Sequence, residues 1–339
     1  MALLVFRTLQ GLGLGGEVPV AATYISELSK AKERGKFVLF YELVFPFGLL
    51  GAALAGYWIV PHWGWRPLFV LGGLAALLIF YLRSRLPESP RWLASVGRIN
   101  EAEEAMTCIE KRVERSSGIA LPPPEARVVV GATGQTRWRE LLESPYRGRT
   151  LVVWVLWFSA YLTTYGLTTW LPSIYTSVYH LPLQRAFGYS LGTTAAGLVG
   201  ALVCALLIDR LGRRFWLAGA LMMAGVFLGV LWLLGRPTAL DVLRWSALAY
   251  LFTSSVSLAV YLYTPELYPT RMRALGSSIA SAWARLASIT GPLLVGVLLA
   301  RYSLAWVFLV FGAVCLMGGV TTALFSTETR ERLLEEVSP

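Results

Sequence analysis

Histidine is nearly absent from this sequence: His62 and His180 are the only two in 339 residues. Cysteine is almost as scarce, and Cys108, Cys204 and Cys315 stand far apart with no paired spacing. That inventory excludes a His/Cys metal cluster and a disulfide framework. It also argues against an enzyme, because nothing resembling a nucleophile–base or metal constellation can be assembled from it. Charge is scarce too. Asp, Glu, Lys and Arg make up 15% of the chain, against about 25% in an ordinary soluble domain. With 56% hydrophobic residues and a mean hydropathy of +0.59, the chain is too apolar for water. A bilayer is the solvent such a composition fits.

What is abundant is long apolar runs. Windows of about 20 residues, enough to cross a bilayer as a helix, predict nine spans, at 2–26, 37–60, 66–86, 151–178, 187–208, 214–235, 243–265, 275–300 and 303–326. The first run is glycine-rich and lacks a basic leader, so it does not read as a cleavable signal peptide. No repeated pore motif suggests a channel.

The charges fall between these runs. If residue 1 lies outside, 23 of the 30 Lys and Arg residues fall in inside loops or at inner span ends and five in outside loops or at outer span ends, with Arg7 and Arg285 deeper within spans. The positive-inside rule then orients the chain, with its C-terminus in the cytoplasm. The formal net charge of +10 is a topology signal, so no nucleic-acid partner is called for.

The stretch "RTLQGLGLGGEVPV" (7–20) contains G-x-G-x-x-G, a dinucleotide-binding fingerprint when a strand precedes it and a helix follows. No strand precedes it here. Within a span, small residues instead let helices approach closely, and the pattern calls for no cofactor.

Three segments follow: a partial N-terminal bundle of three spans (1–86), a cytoplasmic linker with short helices (87–150), and a C-terminal six-helix bundle with a short tail (151–339). One pattern recurs. "YISELSKAKERG" and "YTPELYPTRMRALG" both follow spans and separate a Glu from an Arg by seven residues, Glu27 from Arg34 and Glu266 from Arg273. Tyr24 and Tyr263 each stand three before the Glu. Repeated halves with a substrate site between them characterise secondary transporters.

At this point the residues resemble a known family, the major facilitator superfamily. "RTLQGLGLGGE" is similar to its fourth-helix motif. "DRLGRR" (209–214) resembles its repeated loop motif, with Ala205 where a glycine is usual. "LPESPRWL" (86–93) resembles the segment after the sixth helix of sugar porters. "GGEVP", "YELVFPFG" and "YTPELYPTRMRALG" look closest to the branch of synaptic-vesicle-glycoprotein-like, organic-ion and bacterial niacin or aromatic-acid transporters. The resemblance implies an all-α membrane bundle, with about nine of an expected twelve helices present, corresponding to the fourth through the twelfth. It implies a secondary transporter in the plasma membrane, a bacterial inner membrane being the expected one. A small-molecule substrate and protons would be its partners, besides the lipid bilayer. A sugar or organic-cation porter and a non-transporting fragment are the alternative readings.

Charges within spans are costly and usually face a cavity or a partner. Arg7, Glu17, Glu42 and Arg285 are therefore candidates for substrate or proton binding, with Tyr165 and Tyr261 as an aromatic wall. Glu42 could equally reach the inner interface, and Arg285 could pair permanently with Glu17 or Glu42. Polar stripes accompany them: Ser277, Ser281, Arg285 and Ser288; Ser257, Tyr261 and Thr264; Tyr161, Tyr165, Thr168 and Pro172. At the inner mouth, Glu27, Arg34, Asp209, Arg210, Arg213, Arg214, Glu266 and Arg273 are the expected cytoplasmic gate, with Arg34 and Arg273 beside acidic groups.

Overall fold

The computed structural model describes residues 4–11, 40–83, 88–95, 97–118, 120–121 and 137–330. Among them every regular element is helical. After a helical segment over 4–11 come α1 (Val44–Trp63), α2 (Arg66–Arg83), α3 (Pro90–Ser95), α4 (Ile99–Ser117), a short 3-10 turn (Trp138–Leu142), α5 (Arg147–Ser177), α6 (Leu183–Leu211), α7 (Arg213–Leu233), α8 (Ala239–Glu266), α9 (Thr270–Arg301) and α10 (Leu304–Phe325).

Seven helices among the described residues are long and apolar enough to cross a membrane: Phe40–Trp63, Arg147–Ser177, Leu183–Leu211, Arg213–Leu233, Ala239–Glu266, Met272–Arg301 and Leu304–Phe325. They match seven of the nine predicted spans. An eighth, predicted at 66–86, is the helix α2, whose apolar run Arg66–Tyr81 is shorter. The ninth, predicted at 2–26, lies mostly outside the described residues.

The chain divides into two compact units, Met1–Arg34 with Arg66–Thr133, and Gly35–Trp65 with Gly134–Pro339. In the first, the Arg7 guanidinium lies 5.2 Å from the Phe69 ring centroid, and α3 packs on α4. The α4 helix is rich in charge. Arg98 bridges to Glu101 at 2.5 Å, and its hydrogen bonds hold that carboxyl below its usual range. Gly118, at φ +66°, ends the helix by donating its N–H to the Glu114 carbonyl.

The second unit contains α1 and α5 to α10. Its helices pair as α7 with α10, α6 with α8, and α5 with α9. Without a hydrophobic force between helices in lipid, close approach has to come from small residues. Gly200 of α6 lies against the Leu251 backbone carbonyl of α8, where any Cβ would overlap it. Gly225 and Gly312 meet in the same way between α7 and α10. Large apolar side chains such as Leu206, Phe215 and Leu233 point outward, as a lipid-facing surface requires. At the start of α8, Thr238 and Asp241 form a reciprocal capping box.

Candidate functional site

Trp157, Tyr161 and Tyr165 recur every four residues along α5, so they share one face. The Trp157 and Tyr161 rings stack at 5.5 Å, and those of Tyr161 and Tyr165 at 5.9 Å. Tyr261 of α8 meets Trp157 edge-on at 4.8 Å. Hydrogen bonds lock the arrangement. The Trp157 indole donates to Thr264 Oγ1 at 2.8 Å, and the Tyr161 hydroxyl donates to the Ser257 carbonyl at 3.3 Å. A second aromatic group, Trp154 and Phe158 of α5 with Trp283 of α9, extends the wall at 5.3 and 6.1 Å.

Two charged groups act on this wall. Arg285 of α9 is exposed within its unit and close enough to Tyr261 to act on it electrostatically. No carboxylate among the described residues forms an ion pair with it. Glu42, in the turn before α1, is only 4% exposed, and its Oε1 has no hydrogen-bond partner among the described residues. It acts electrostatically on both Tyr161 and Tyr261. Glu42, Tyr165, Tyr261 and Arg285 are thus brought together with Tyr161 and Trp157, which carried no site assignment in the sequence reading. Their signal was the four-residue aromatic period.

Several stripe residues have other employment. Ser288 donates to the Arg285 carbonyl at 2.8 Å, and Thr168 to the Thr164 carbonyl at 2.7 Å, so both hydroxyls satisfy their own helices. Thr264 serves Trp157. Arg7 lies in the first unit, exposed and over Phe69. Glu17, Glu27 and Arg34 lie outside the described residues.

A second cluster forms where α6, α7, α8 and the segment after α10 meet. Arg213 Nη2 lies 2.9 Å from Asp209 Oδ1, and Arg213 Nε 3.5 Å from Glu266 Oε2. The Arg273 guanidinium donates to the Pro265 carbonyl at 2.9 Å. Glu328 completes the group. Its carboxylate accepts backbone N–H bonds from Arg213 at 2.9 Å and Arg214 at 3.0 Å, the first turn of α7. Free N–H groups and the helix dipole make such a terminus an anion site. Gly212, at φ +92°, makes this possible, since a Cβ there would lie 2.7 Å from Glu328 Oε2. The Arg214 side chain donates to the Ala323 carbonyl, Arg330 to the Arg210 carbonyl, and Thr329 Oγ1 to Glu266 Oε2 at 2.6 Å. Tyr263, singled out by the repeated pattern, donates to the Thr327 carbonyl at 2.7 Å. Glu328 and Thr329 were not among the expected gate residues, and their signal in the sequence was no more than an acidic residue in a short polar tail.

A family model described as "Sugar (and other) transporter" matches residues 1–339. The chain belongs to that family, within the major facilitator superfamily. A niacin transporter, NiaP, of Acinetobacter baylyi is 34% identical over 99% of this chain and 75% of its own length. A putative niacin/nicotinamide transporter of Bacillus subtilis is 30% identical over 98% and 75%. Among solved structures, the partially occluded inward-open xylose transporter XylE of E. coli superposes with a TM-score of 0.70, at 22% identity, over 97% of this chain and 72% of its own. That likeness shows a shared fold. This member of the sugar (and other) transporter family is a multi-pass membrane protein and a secondary transporter of a small organic solute, not an enzyme.

Proposed function

We propose that the solute is a small organic or aromatic carboxylate, moved by proton-coupled alternating access in a bacterial inner membrane with the C-terminus cytoplasmic. The observation that carries this reading is Arg285: exposed, without a carboxylate partner among the described residues, and acting electrostatically on Tyr261, which meets the aromatic stack edge-on. A guanidinium stays protonated and presents a planar fork of donors that fits a carboxylate with two parallel bonds. Stacked aromatic rings offer a flat apolar surface to a ring-bearing solute. The NiaP relative supports the same chemistry, because niacin is a pyridine carboxylate.

Alternating access also needs a device that holds one end shut. The Asp209–Arg213–Glu266 cluster, with Arg210, Arg214, Arg273 and the Glu328 clasp, supplies it on the side that the Lys/Arg distribution marks as cytoplasmic. Glu27 and Arg34 would be the counterparts in the other half of the repeat. Breaking these pairs would let the helix ends part.

Uptake of pyridine-3-carboxylate into proteoliposomes holding the full-length protein tests the substrate reading. Arg285→Lys keeps the charge and loses the fork. Its apparent affinity should fall by about tenfold or more, the weight of a charge-assisted hydrogen bond of roughly 1.5–3 kcal/mol. Unchanged affinity, or preference for a neutral sugar or an organic cation, would overturn it.

A further inference from the structure

Glu42 stands out among the acidic groups of the membrane-crossing helices. It is 4% exposed, lies next to the buried Leu43 in the first turn of the Phe40–Trp63 span, and leaves Oε1 buried without a partner among the described residues. A buried carboxylate with an unpartnered oxygen is costly while it carries charge, and protonation removes that charge. Among the described residues, the groups it acts on are hydroxyls. Tyr161 from α5 and Tyr261 from α8 interact with it electrostatically, Tyr165 neighbours both, and Arg285 from α9 acts on Tyr261. From α6, the helix packed against α1, no charged side chain among the described residues acts on Glu42.

Trp157 touches both tyrosines, stacked on Tyr161 and edge-on to Tyr261. The Tyr161 hydroxyl donates to the Ser257 carbonyl at 3.3 Å, which leaves its oxygen as an acceptor. Glu42 acts on both phenols and Arg285 on one of them, so a site that favours a proton and a site that favours a carboxylate share the same tyrosines.

We propose that Glu42 is the residue that carries the transported proton, with the Tyr161–Tyr261 hydroxyl pair linking it to the carboxylate site at Arg285. The assignment rests on the proton-coupled reading above. Glu42 holds its proton while buried as seen here, and gives it up when the helix ends part and water reaches Oε1. A carboxylate bound at Arg285 acts on the same tyrosines, so occupancy of one site biases protonation of the other.

Full-length protein in proteoliposomes, given labelled pyridine-3-carboxylate and an imposed pH step, tests this. One proton per substrate across about one pH unit supports about tenfold accumulation, since both correspond to 1.4 kcal/mol. Glu42→Gln should fall to an inside-to-outside ratio of about one, while labelled substrate still exchanges for unlabelled. Glu42→Asp should restore accumulation. Infrared spectra should contain a protonated-carboxyl band that disappears at alkaline pH and is missing from Glu42→Gln, a readout independent of transport. Wild-type accumulation by Glu42→Gln, or retention of the band in that variant, overturns the assignment while leaving proton coupling intact. Loss of exchange along with accumulation, without rescue by Asp, also overturns it, in favour of a substrate ligand or a packing role. A wild-type protein that does not respond to the pH step refutes the coupling reading and the assignment with it.

Discussion

Glu328 caps the helix that begins at Arg213, accepting its backbone N–H at 2.9 Å across 115 residues of sequence. The same carboxylate also takes the N–H groups of Arg214, Thr329 and Arg330, each at 3.0 Å. It therefore ties the start of α7 to the segment leaving α10.

Removing that carboxylate should loosen both elements. Glu328→Ala should lower stability by about 1.5–3 kcal/mol, the range for hydrogen bonds to a charged group, measured as a shift in thermal unfolding in detergent. Glu328→Gln should fall between Ala and wild type, because it keeps an acceptor and loses the charge. Gly212→Ala should be destabilised as well, through the positive φ and the contact with Glu328 Oε2.

Arg213 shares its guanidinium between Asp209 and Glu266. If that sharing is the cytoplasmic latch, Arg213→Ala should speed hydrogen exchange at the 212–214 and 326–330 amides. Arg213→Ala and Glu266→Gln should be non-additive, with a coupling of about 0.5–3 kcal/mol in a double-mutant cycle. Additive effects would reduce the cluster to separate surface contacts.

The Trp157 indole donates its N–H to Thr264 Oγ1, at a site where the residue is 1% exposed. Thr264→Val keeps the shape and strands the N–H, at a cost of about 1–3 kcal/mol. Thr264→Ser should recover most of the loss. Because Trp157 orders both Tyr161 and Tyr261, the Val variant should also bind aromatic carboxylates more weakly, which a binding titration would reveal.

Gly200 and Gly219 make a matched pair. A Cβ at Gly200 would meet the Leu251 backbone, whereas one at Gly219 meets nothing within 4 Å. Gly200→Ala should therefore cost about 1–3 kcal/mol, as overpacking does. Gly219→Ala should leave thermal stability level or raise it by up to about 1 kcal/mol, through helix propensity. Equal melting temperatures for the two variants would contradict the α6–α8 contact described here.

The sequence by itself determined the class of structure. Span length and the uneven distribution of Lys and Arg depend only on local composition, because the bilayer imposes one length scale and one charge asymmetry on every helix. Helices α1 and α5 to α10 accordingly lie where the apolar runs place them, overrunning most predictions by about a turn, since backbone hydrogen bonding continues past the apolar boundary. The motifs likewise singled out Asp209, Arg213 and Glu266, and its charge within a span singled out Arg285. Partnership was another matter. The repeat suggested only that Arg273 should lie near an acidic group such as Glu27, Glu266 or Asp209; the structure shows Arg213 meeting both Glu266 and Asp209, and the Arg273 guanidinium donating to the Pro265 carbonyl. Glu328 gave almost no signal, since its role arises only when α10 delivers it to a helix terminus 115 positions away. The same holds for Glu42. Its position in a span was legible, but its burial beside Tyr161 and Tyr261 required three helices to converge. Which hydroxyls face a solute and which satisfy their own helix, as those of Ser288 and Thr168 do, depends on side-chain rotamers and neighbouring helices. Only the tertiary structure sets those.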